Sequence, residues 1–199
     1  MCNLYRMNRA IAEIASIFNA TAEASNAPGD VYPGYPGLVV AEGRLRSMSW
    51  GFPLTLKSKK TGQPLKPKPV NNTRADKLDT FMWRYSFAER RCLIPVEAFA
   101  EAEGARGSMT RTWISLPDQP VMAIAGIWRD SDEWGPVYSM VMTEACVDMA
   151  GIHDRMPVIL APGQQDHWLS GHAEDAFKLC QPYAGMLAID RTNEPWVKR

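Results

Sequence analysis

Cys2 is the residue of this chain whose type and position offer the most chemistry. If Met1 is removed, Cys2 carries a free α-amine and a thiol, two nucleophiles on neighbouring carbon atoms. Both groups are partly in their nucleophilic forms near neutral pH. The alternative interpretation is that Cys2 is a small apolar side chain of the first strand, since buried free cysteines are common. Taken alone, Cys2 leaves both interpretations open.

Asn72 and Arg74 lie two residues apart in the segment "NNTRAD" and share one side of an extended chain. The asparagine amide can bind a carbonyl or sugar oxygen, and the guanidinium can bind a phosphate. The same letters also suit an Asx turn that leads into a helix.

Carboxylates and histidines supply candidate acids and bases. In "IPVEAFAEAEG" the candidates are Glu97, Glu101 and Glu103, and spacing alone does not choose among them. A carboxyl group packed against apolar neighbours has a raised pKa and can move protons at neutral pH. Of the three histidines, His153 in "GIHDRMPVIL" precedes an apolar strand, where a site rim is expected. A hydrogen-bonded structural histidine is the alternative.

Charge is unevenly distributed although the formal net charge is zero. Between positions 44 and 91 there are twelve Lys and Arg against three acids, a net +9, which leaves −9 for the remainder. The aromatic residues among these cations are Trp50, Phe52, Phe81, Trp83, Tyr85 and Phe87. Cations for phosphates and rings for bases predict a groove for single-stranded nucleic acid, whereas a solvated loop beside core aromatics is the alternative.

Composition favours one globular domain in a reducing compartment. The chain has 199 residues, 46% of them hydrophobic, and no apolar run long enough to cross a membrane. We expect no signal peptide and no membrane association. The four cysteines are widely spaced, so neither a disulfide framework nor a metal site is expected, and the pattern calls for no cofactor. Cytoplasmic localisation is the expectation.

Strands separated by turns dominate the pattern. Segments typical of strands are "LVVA", "RLRSMSWGF", "RCLIPV", "TWISL", "VMAIAGIW", "VYSMVMT" and "GMLAID". Helices are predicted from Asn8, as a cap, to about Ser25, over 77–91, and around 163–179. The basic segment 57–70 is predicted to be a flexible loop within the domain. We therefore expect a single α+β domain over 1–199, with a mainly antiparallel, barrel-like β core and peripheral helices.

Several motifs occur together in a specific order. They are the initial "MC", then "SWGFP", "VNNTRAD", "RRCLIPVEAFAEAE", "AIAGIW" and "IHDRMPVIL". In this combination the chain resembles the SRAP family, the SOS response-associated peptidases or abasic site processing proteins. The resemblance extends from Cys2 to about Leu169.

The resemblance implies a mechanism and a set of residues. Members of the family lose Met1 and use Cys2 to capture the aldehyde of an abasic site as a thiazolidine. Matched motif to motif, the other catalytic residues are Asn72, Glu101 and His153. The resemblance assigns DNA contacts to Trp50 and Arg74, with Arg155 as a further candidate, and charge alone suggests Arg84. Asn3 stands where members commonly have glycine, and we expect it to lie where DNA approaches.

The expected function is therefore the processing of abasic sites in single-stranded DNA. It includes a covalent link through Cys2, autopeptidase activity and, by elimination from a Schiff base, an available lyase reaction. A monomer is expected, nucleoid-associated when bound to DNA, and replication-fork proteins are candidate partners. An N-terminal-nucleophile peptidase or amidase acting on another substrate is the main alternative. A third is a non-catalytic nucleic-acid binder.

Overall fold

The computed structural model describes residues 2–23 and 29–197. In this part of the chain the helices are α1 (Ile11–Ile17), α2 (Arg84–Glu89), α3 (Gln165–Ser170) and α4 (Ala173–Lys178). The strands before α2 are β1 (Tyr5–Arg6), β2 (Thr21–Ala22), β3 (Asp30–Val31), β4 (Pro36–Ala41), β5 (Arg44–Trp50), β6 (Phe52–Leu54), β7 (Lys68–Val70) and β8 (Asn72–Arg74). Those after it are β9 (Arg91–Val96), β10 (Ala98–Glu103), β11 (Thr110–Ser115), β12 (Met122–Ser131), β13 (Gly135–Glu144), β14 (Arg155–Pro157), β15 (Ile159–Leu160) and β16 (Ala188–Pro195).

Five strands close into a barrel in the order β5–β4–β9–β12–β13. All neighbours are antiparallel except β13 and β5, which close the ring in parallel. Alternate residues of a strand enter different hydrophobic clusters, as Ile124 and Ala125 of β12 do. The barrel strands are therefore buried on both faces, which explains their nearly continuous apolar sequences.

A second, antiparallel sheet runs β16–β11–β10–β1–β3. It brings the N-terminal segment beside β10, with Tyr5 opposite Phe99. The N–H of Ala100 donates to the carbonyl of Leu4 at 2.9 Å, which continues the pairing toward Cys2. Both Tyr5 and Phe99 join the same core cluster as Cys2, so this sheet packs the N-terminal segment into the interior.

The expected fold class is confirmed: one α+β domain with a barrel-like, mainly antiparallel core. The first helix, however, is shorter than predicted. It covers only Ile11–Ile17, because the chain turns at Asn19, whose φ is +47°, and then enters β2. The predicted end of this helix at Ser25 lies outside the described residues.

The prediction of a helix over 77–91 is also wrong in extent. Only Arg84–Glu89 is α-helical, after a short 3-10 turn at Ala75–Lys77. The segment has no common apolar face, since Leu78 is buried, whereas Phe81 is 88% and Tyr85 is 63% exposed.

Two further predictions need adjustment. The single C-terminal helix is two short helices that break at Gly171, whose backbone is extended. The basic segment 57–70 is the long loop of a hairpin in which Phe52 pairs with Val70, and its last three residues belong to β7. A bridge between Lys57 and Pro64 orders the loop further. Its flexibility stays a prediction.

No helix within residues 2–23 and 29–197 combines the length and apolar character that crossing a membrane requires.

Candidate active site around Cys2

The backbone of Cys2 is held by two neighbouring asparagines. Its carbonyl oxygen accepts hydrogen bonds from Asn71 Nδ2 at 3.0 Å and from Asn72 Nδ2 at 2.7 Å. Strand β8 supplies Asn72, which lies opposite Met140 of the barrel strand β13. The pairing of β8 with the barrel strand β13 therefore fixes the position of residue 2. Without such contacts, residues near a chain end are poorly ordered.

The side chain of Cys2 is fully buried. Its thiol donates a weak hydrogen bond to the carbonyl of Leu4, at 3.5 Å. Burial raises the pKa of this thiol far above its ordinary value, and the negative charge of Glu101 raises the pKa further. In the intact chain the sulfur is therefore a protonated thiol at neutral pH.

Glu101 lies on β10 and is 4% exposed. Burial is the main reason why its pKa is raised to about 7, and the negative charge of Asp154 raises it as well. A carboxyl group with this pKa is present in both protonation states near neutral pH, so it can give or accept a proton. Because Glu101 also acts on the pKa of the thiol, the two groups belong to one site.

His153 lies on the loop that leads into β14. Its Nδ1 accepts the backbone N–H of Arg155 at 2.9 Å and lies 2.9 Å from an oxygen of Asp154. Burial lowers the pKa of the imidazole, so the neutral ring is favoured at neutral pH. With Nδ1 accepting, the proton of that neutral ring is on Nε2. The loop faces the site, since the charge of Asp154 acts on Glu101.

A family model described as "SOS response associated peptidase (SRAP)" matches residues 1–193. The chain belongs to the SRAP family. This confirms the resemblance that the motifs indicate.

Curated relatives of this SRAP protein include two from Bacillus subtilis (strain 168). The abasic site processing protein YoqW is 30% identical over 150 residues, which are 70% of this chain and 65% of YoqW. The abasic site processing protein YoaM is 31% identical over 135 residues, which are 64% of this chain and 57% of YoaM. The match therefore spans less than two thirds of the length of either relative.

Solved structures support the SRAP fold. A crystal structure from Bordetella bronchiseptica (target BoR19) superposes with a TM-score of 0.78 at 26% identity and covers 96% of this chain and 99% of that one. Another, from Bacteroides thetaiotaomicron (target BtR8), gives a TM-score of 0.78 at 17% identity, covering 96% and 91% of the two chains. The second likeness concerns the fold alone.

The residues expected to contact DNA fall into different places. Asn3 is exposed beside Cys2, and its Oδ1 accepts from Asn71 Nδ2 at 3.2 Å. Arg74 is exposed on β8 and forms a bidentate ion pair with Asp76. Its Nε lies 2.8 Å from Oδ1 and its Nη2 lies 2.7 Å from Oδ2 of that carboxylate. Arg155 is half-buried and lines an open depression of about 680 Å³ together with His153. Asn3 therefore adjoins Cys2, Arg155 adjoins His153, and Arg74 lies two residues beyond Asn72 on β8.

Arg84 is also exposed, but it lies at the start of α2. Its guanidinium carbon is 5.8 Å from the centre of the Phe81 ring, and it borders a separate groove between α2 and α4. The contacts of Arg84 therefore do not connect it to Cys2.

Trp50 departs most from its expected role. It is fully buried, with its ring 5.0 Å from that of Tyr5 and 6.4 Å from that of Tyr138. Its indole N–H donates to the carbonyl of Asn71 at 2.9 Å. A ring enclosed in this way cannot stack on a base in this conformation, and the direct contact of Trp50 with DNA stays a prediction. Trp50 instead positions the asparagine that holds Cys2.

Sequence reasoning missed two parts of the site. Asn71 binds Cys2 through its side chain, and only the doubled asparagine of "VNNT" signals it. The hydroxyl groups of Tyr5 and Tyr138 are hydrogen-bonded to each other in the core, and both rings lie next to Trp50. Gly37 allows this pair, because a Cβ at that position would collide with both hydroxyl groups.

The described residues contain no group of three or more His, Cys, Asp or Glu side chains that could hold a metal ion. All four cysteines are free thiols.

Proposed function

We propose that this protein processes abasic sites in single-stranded DNA by forming a covalent bond through Cys2 after Met1 is lost. Two relatives bear the name abasic site processing protein. The observation that carries the proposal is that the buried Glu101, whose pKa is raised to about 7, acts electrostatically on the buried Cys2 thiol. Capture of an aldehyde needs a proton donor and a proton acceptor at one nucleophile, and this carboxyl group can be both.

The reaction balances with the loss of one water. The α-amine of Cys2 adds to the aldehyde carbon of the ring-opened abasic sugar, and the resulting carbinolamine expels its hydroxyl as water to give an imine. The Cys2 sulfur then adds to the imine carbon, and the thiol proton ends on the nitrogen. A five-membered ring of sulfur, nitrogen and three carbon atoms results. An internal cysteine cannot react in this way, because its nitrogen is part of an amide.

Glu101 serves both halves of this sequence. In its acid form it protonates the departing hydroxyl, and as a carboxylate it takes the proton from the thiol. A pKa of about 7 supplies both forms at neutral pH. Without such a base the buried thiol would stay protonated, since burial raises its pKa.

Asn72 and His153 act on the substrate side. Asn72 Oδ1 is buried and accepts no hydrogen bond from the described residues, so it is available to the α-amine or to a sugar hydroxyl. His153 is the candidate for opening the sugar ring and for elimination. In elimination a base removes a proton from C2′ of the imine, and the C3′–O bond breaks to release the phosphate. This lyase reaction is part of the proposal.

Arg74 and Arg155 contact phosphates in the proposal, and Asn3 lies against the bound strand. Arg74 reaches a phosphate only when it leaves Asp76, with which it is now paired. Arg84 has a weaker claim, because it lies beside the groove between α2 and α4.

Self-removal of Met1 is the peptidase part of the proposal, with Glu101 as the acid–base group. Wild-type protein and Glu101→Gln, purified identically from cells and by cell-free synthesis without methionine aminopeptidase, test it by intact mass. Met1 lost from wild type alone supports self-cleavage. Equal loss in both proteins under both conditions contradicts the role of Glu101, and retention by both in cell-free synthesis assigns the removal to an aminopeptidase.

The peptidase or amidase alternative places Cys2 against an acyl carbon. Such cysteines need a lowered pKa, as next to an imidazolium, whereas burial raises the pKa of this thiol.

Substitution of Cys2 distinguishes imine formation by the amine from thiazolidine formation by the amine and the thiol together. With an oligonucleotide that carries one abasic site, Cys2→Ala retains an α-amine and forms only an imine, which borohydride traps. Wild type forms an adduct that survives denaturation without borohydride. A stable adduct of Cys2→Ala that needs no borohydride would overturn the thiazolidine step.

A further inference from the structure

A cavity of about 500 Å³ opens beside Asn3. Its aromatic lining consists of Tyr32 and Tyr35, from the turn between β3 and β4, and Trp196, which follows β16. The two tyrosine rings meet edge to face, with centres 6.1 Å apart. The Tyr35 side chain is 57% exposed, so one wall of the cavity is an accessible ring.

The cavity begins one residue from the nucleophile. Asn71 Nδ2 donates both to the carbonyl oxygen of Cys2, at 3.0 Å, and to Oδ1 of Asn3, at 3.2 Å. Asn3 itself lines the cavity. A nucleotide joined to a residue captured at Cys2 is therefore within reach of the aromatic rings.

A charged side chain forms part of the lining and decides what the cavity can hold. Arg111 is 2% exposed, and its guanidinium lies 3.6 Å from Asp30 and 3.4 Å from Glu194. The two carboxylates offset its charge, so the cavity is poorly suited to a phosphate. Arg111 also donates to the hydroxyl of Tyr32 at 3.1 Å, while its buried Nε has no partner among the described residues. Aromatic rings with a polar, charge-compensated wall suit a nucleobase.

We infer that this cavity binds the base next to the abasic residue, stacked on Tyr35 and bordered by Asn3 and Trp196. The inference rests on the proposed function and deepens it. Because the abasic residue has no base of its own to recognise, a neighbouring base held in the cavity fixes the register of the strand at Cys2. The neighbouring base therefore contributes to DNA binding before any covalent bond forms.

The test uses Cys2→Ala protein and an oligonucleotide with a tetrahydrofuran residue, which lacks the aldehyde and cannot react. 2-Aminopurine is placed on the 5′ side of that residue, on its 3′ side, or four nucleotides away. Stacking quenches the fluorescence, so we expect binding to quench one neighbouring probe and to leave the distant probe unchanged. Tyr35→Ala should remove that quenching and weaken binding about tenfold.

Two variants serve as controls. Tyr35→Phe keeps the ring and should retain both quenching and affinity. Phe177→Ala removes another exposed ring, 48% exposed on α4, and should also change neither. Equal fluorescence of all three probes on binding, or an unchanged affinity of Tyr35→Ala, would overturn the inference.

Crosslinking of wild type to a true abasic site is measured in parallel. Crosslinking without quenching refutes the base cavity alone, whereas quenching without crosslinking refutes the proposed chemistry alone.

Discussion

The Asn72 side chain donates a hydrogen bond of 2.7 Å to the carbonyl oxygen of Cys2, seventy residues away in the chain. This bond joins the N-terminal segment to the barrel, since Asn72 begins the strand that pairs with β13. The carbonyl group of Cys2 is thereby anchored to a strand of the barrel sheet.

Asn72→Ala should therefore slow crosslinking by a factor on the order of ten to a hundred, because misplaced reacting groups cost rate steeply. Affinity for an unreactive tetrahydrofuran oligonucleotide should change little. Single-turnover crosslinking rates and equilibrium binding measure the two effects. Asn71→Ala is the matched control: it leaves the shorter bond intact and should slow the reaction less. Equal rates for Asn72→Ala and wild type would refute this positioning role.

Glu101 should make stability depend on pH. Its pKa is raised on folding from its ordinary value near 4.5 to about 7, so the folded state holds the proton more tightly. The free energy of unfolding of wild type therefore falls as pH rises from about 4.5 to above 7, by about 3 kcal/mol in total. Glu101→Gln lacks this loss, so its stability relative to wild type should increase over the same range.

Urea unfolding between pH 4.5 and pH 8.5 measures this difference. Glu103→Gln is the control, since Glu103 lies on the same strand but pairs with Arg191 at 3.2 Å. A constant difference between Glu101→Gln and wild type at all pH values would contradict a buried, titrating carboxyl group.

The ion pair of Arg74 with Asp76 should limit DNA binding. Arg74→Ala removes a phosphate contact, so the slope of log affinity against log salt should become shallower by about 0.7 for a single strand. Asp76→Asn releases Arg74 and should tighten binding at low salt. Fluorescence anisotropy over a salt series measures both. An unchanged slope for Arg74→Ala would remove Arg74 from the DNA interface.

Trp50→Phe tests whether the buried indole acts through Asn71. The variant loses the hydrogen bond to the Asn71 carbonyl, and we expect a loss of stability of about 1–3 kcal/mol. Crosslinking should slow while affinity for unreactive single strands stays near that of wild type. Weaker binding at unchanged stability would instead restore the direct DNA contact expected from the sequence.

His153→Gln should slow ring opening or strand cleavage without unfolding the protein, because His153 is only half-buried. Crosslinking and strand cleavage are followed on one gel, and thermal unfolding is the control. If the variant unfolds and chemistry is unchanged in its folded fraction, the structural interpretation of His153 is correct.

Local patterns predicted the barrel strands well and the helices poorly. Runs such as those of β9 and β12 are apolar on both faces, which the sequence shows directly. The segment Ala98–Glu103 was not predicted as a strand, because Ala and Glu favour helices. It is a strand because β1 and β11 pair with it on either side. Pairing of this kind is tertiary, so composition does not reveal it.

Site residues could be predicted from the sequence where a motif identifies them. They could not be predicted where the burial of the side chain determines its role. Spacing could not choose among Glu97, Glu101 and Glu103, whereas the structure buries Glu101 almost completely. Trp50 stands among cations in the sequence, as an aromatic residue of a DNA groove would, yet it lies in the core. The doubled asparagine of the sequence is the only signal of Asn71, whose contact with Cys2 exists because the fold brings the N-terminal segment near it.

Capture of the aldehyde by Cys2 is decided by the intact mass of the purified protein, measured before and after incubation with a single-stranded oligonucleotide that carries one abasic site. We expect a chain without Met1 and an adduct of protein plus DNA minus one water that survives denaturation. A chain that lacks Met1 and forms no adduct, or one that retains Met1, would contradict capture of the aldehyde by Cys2.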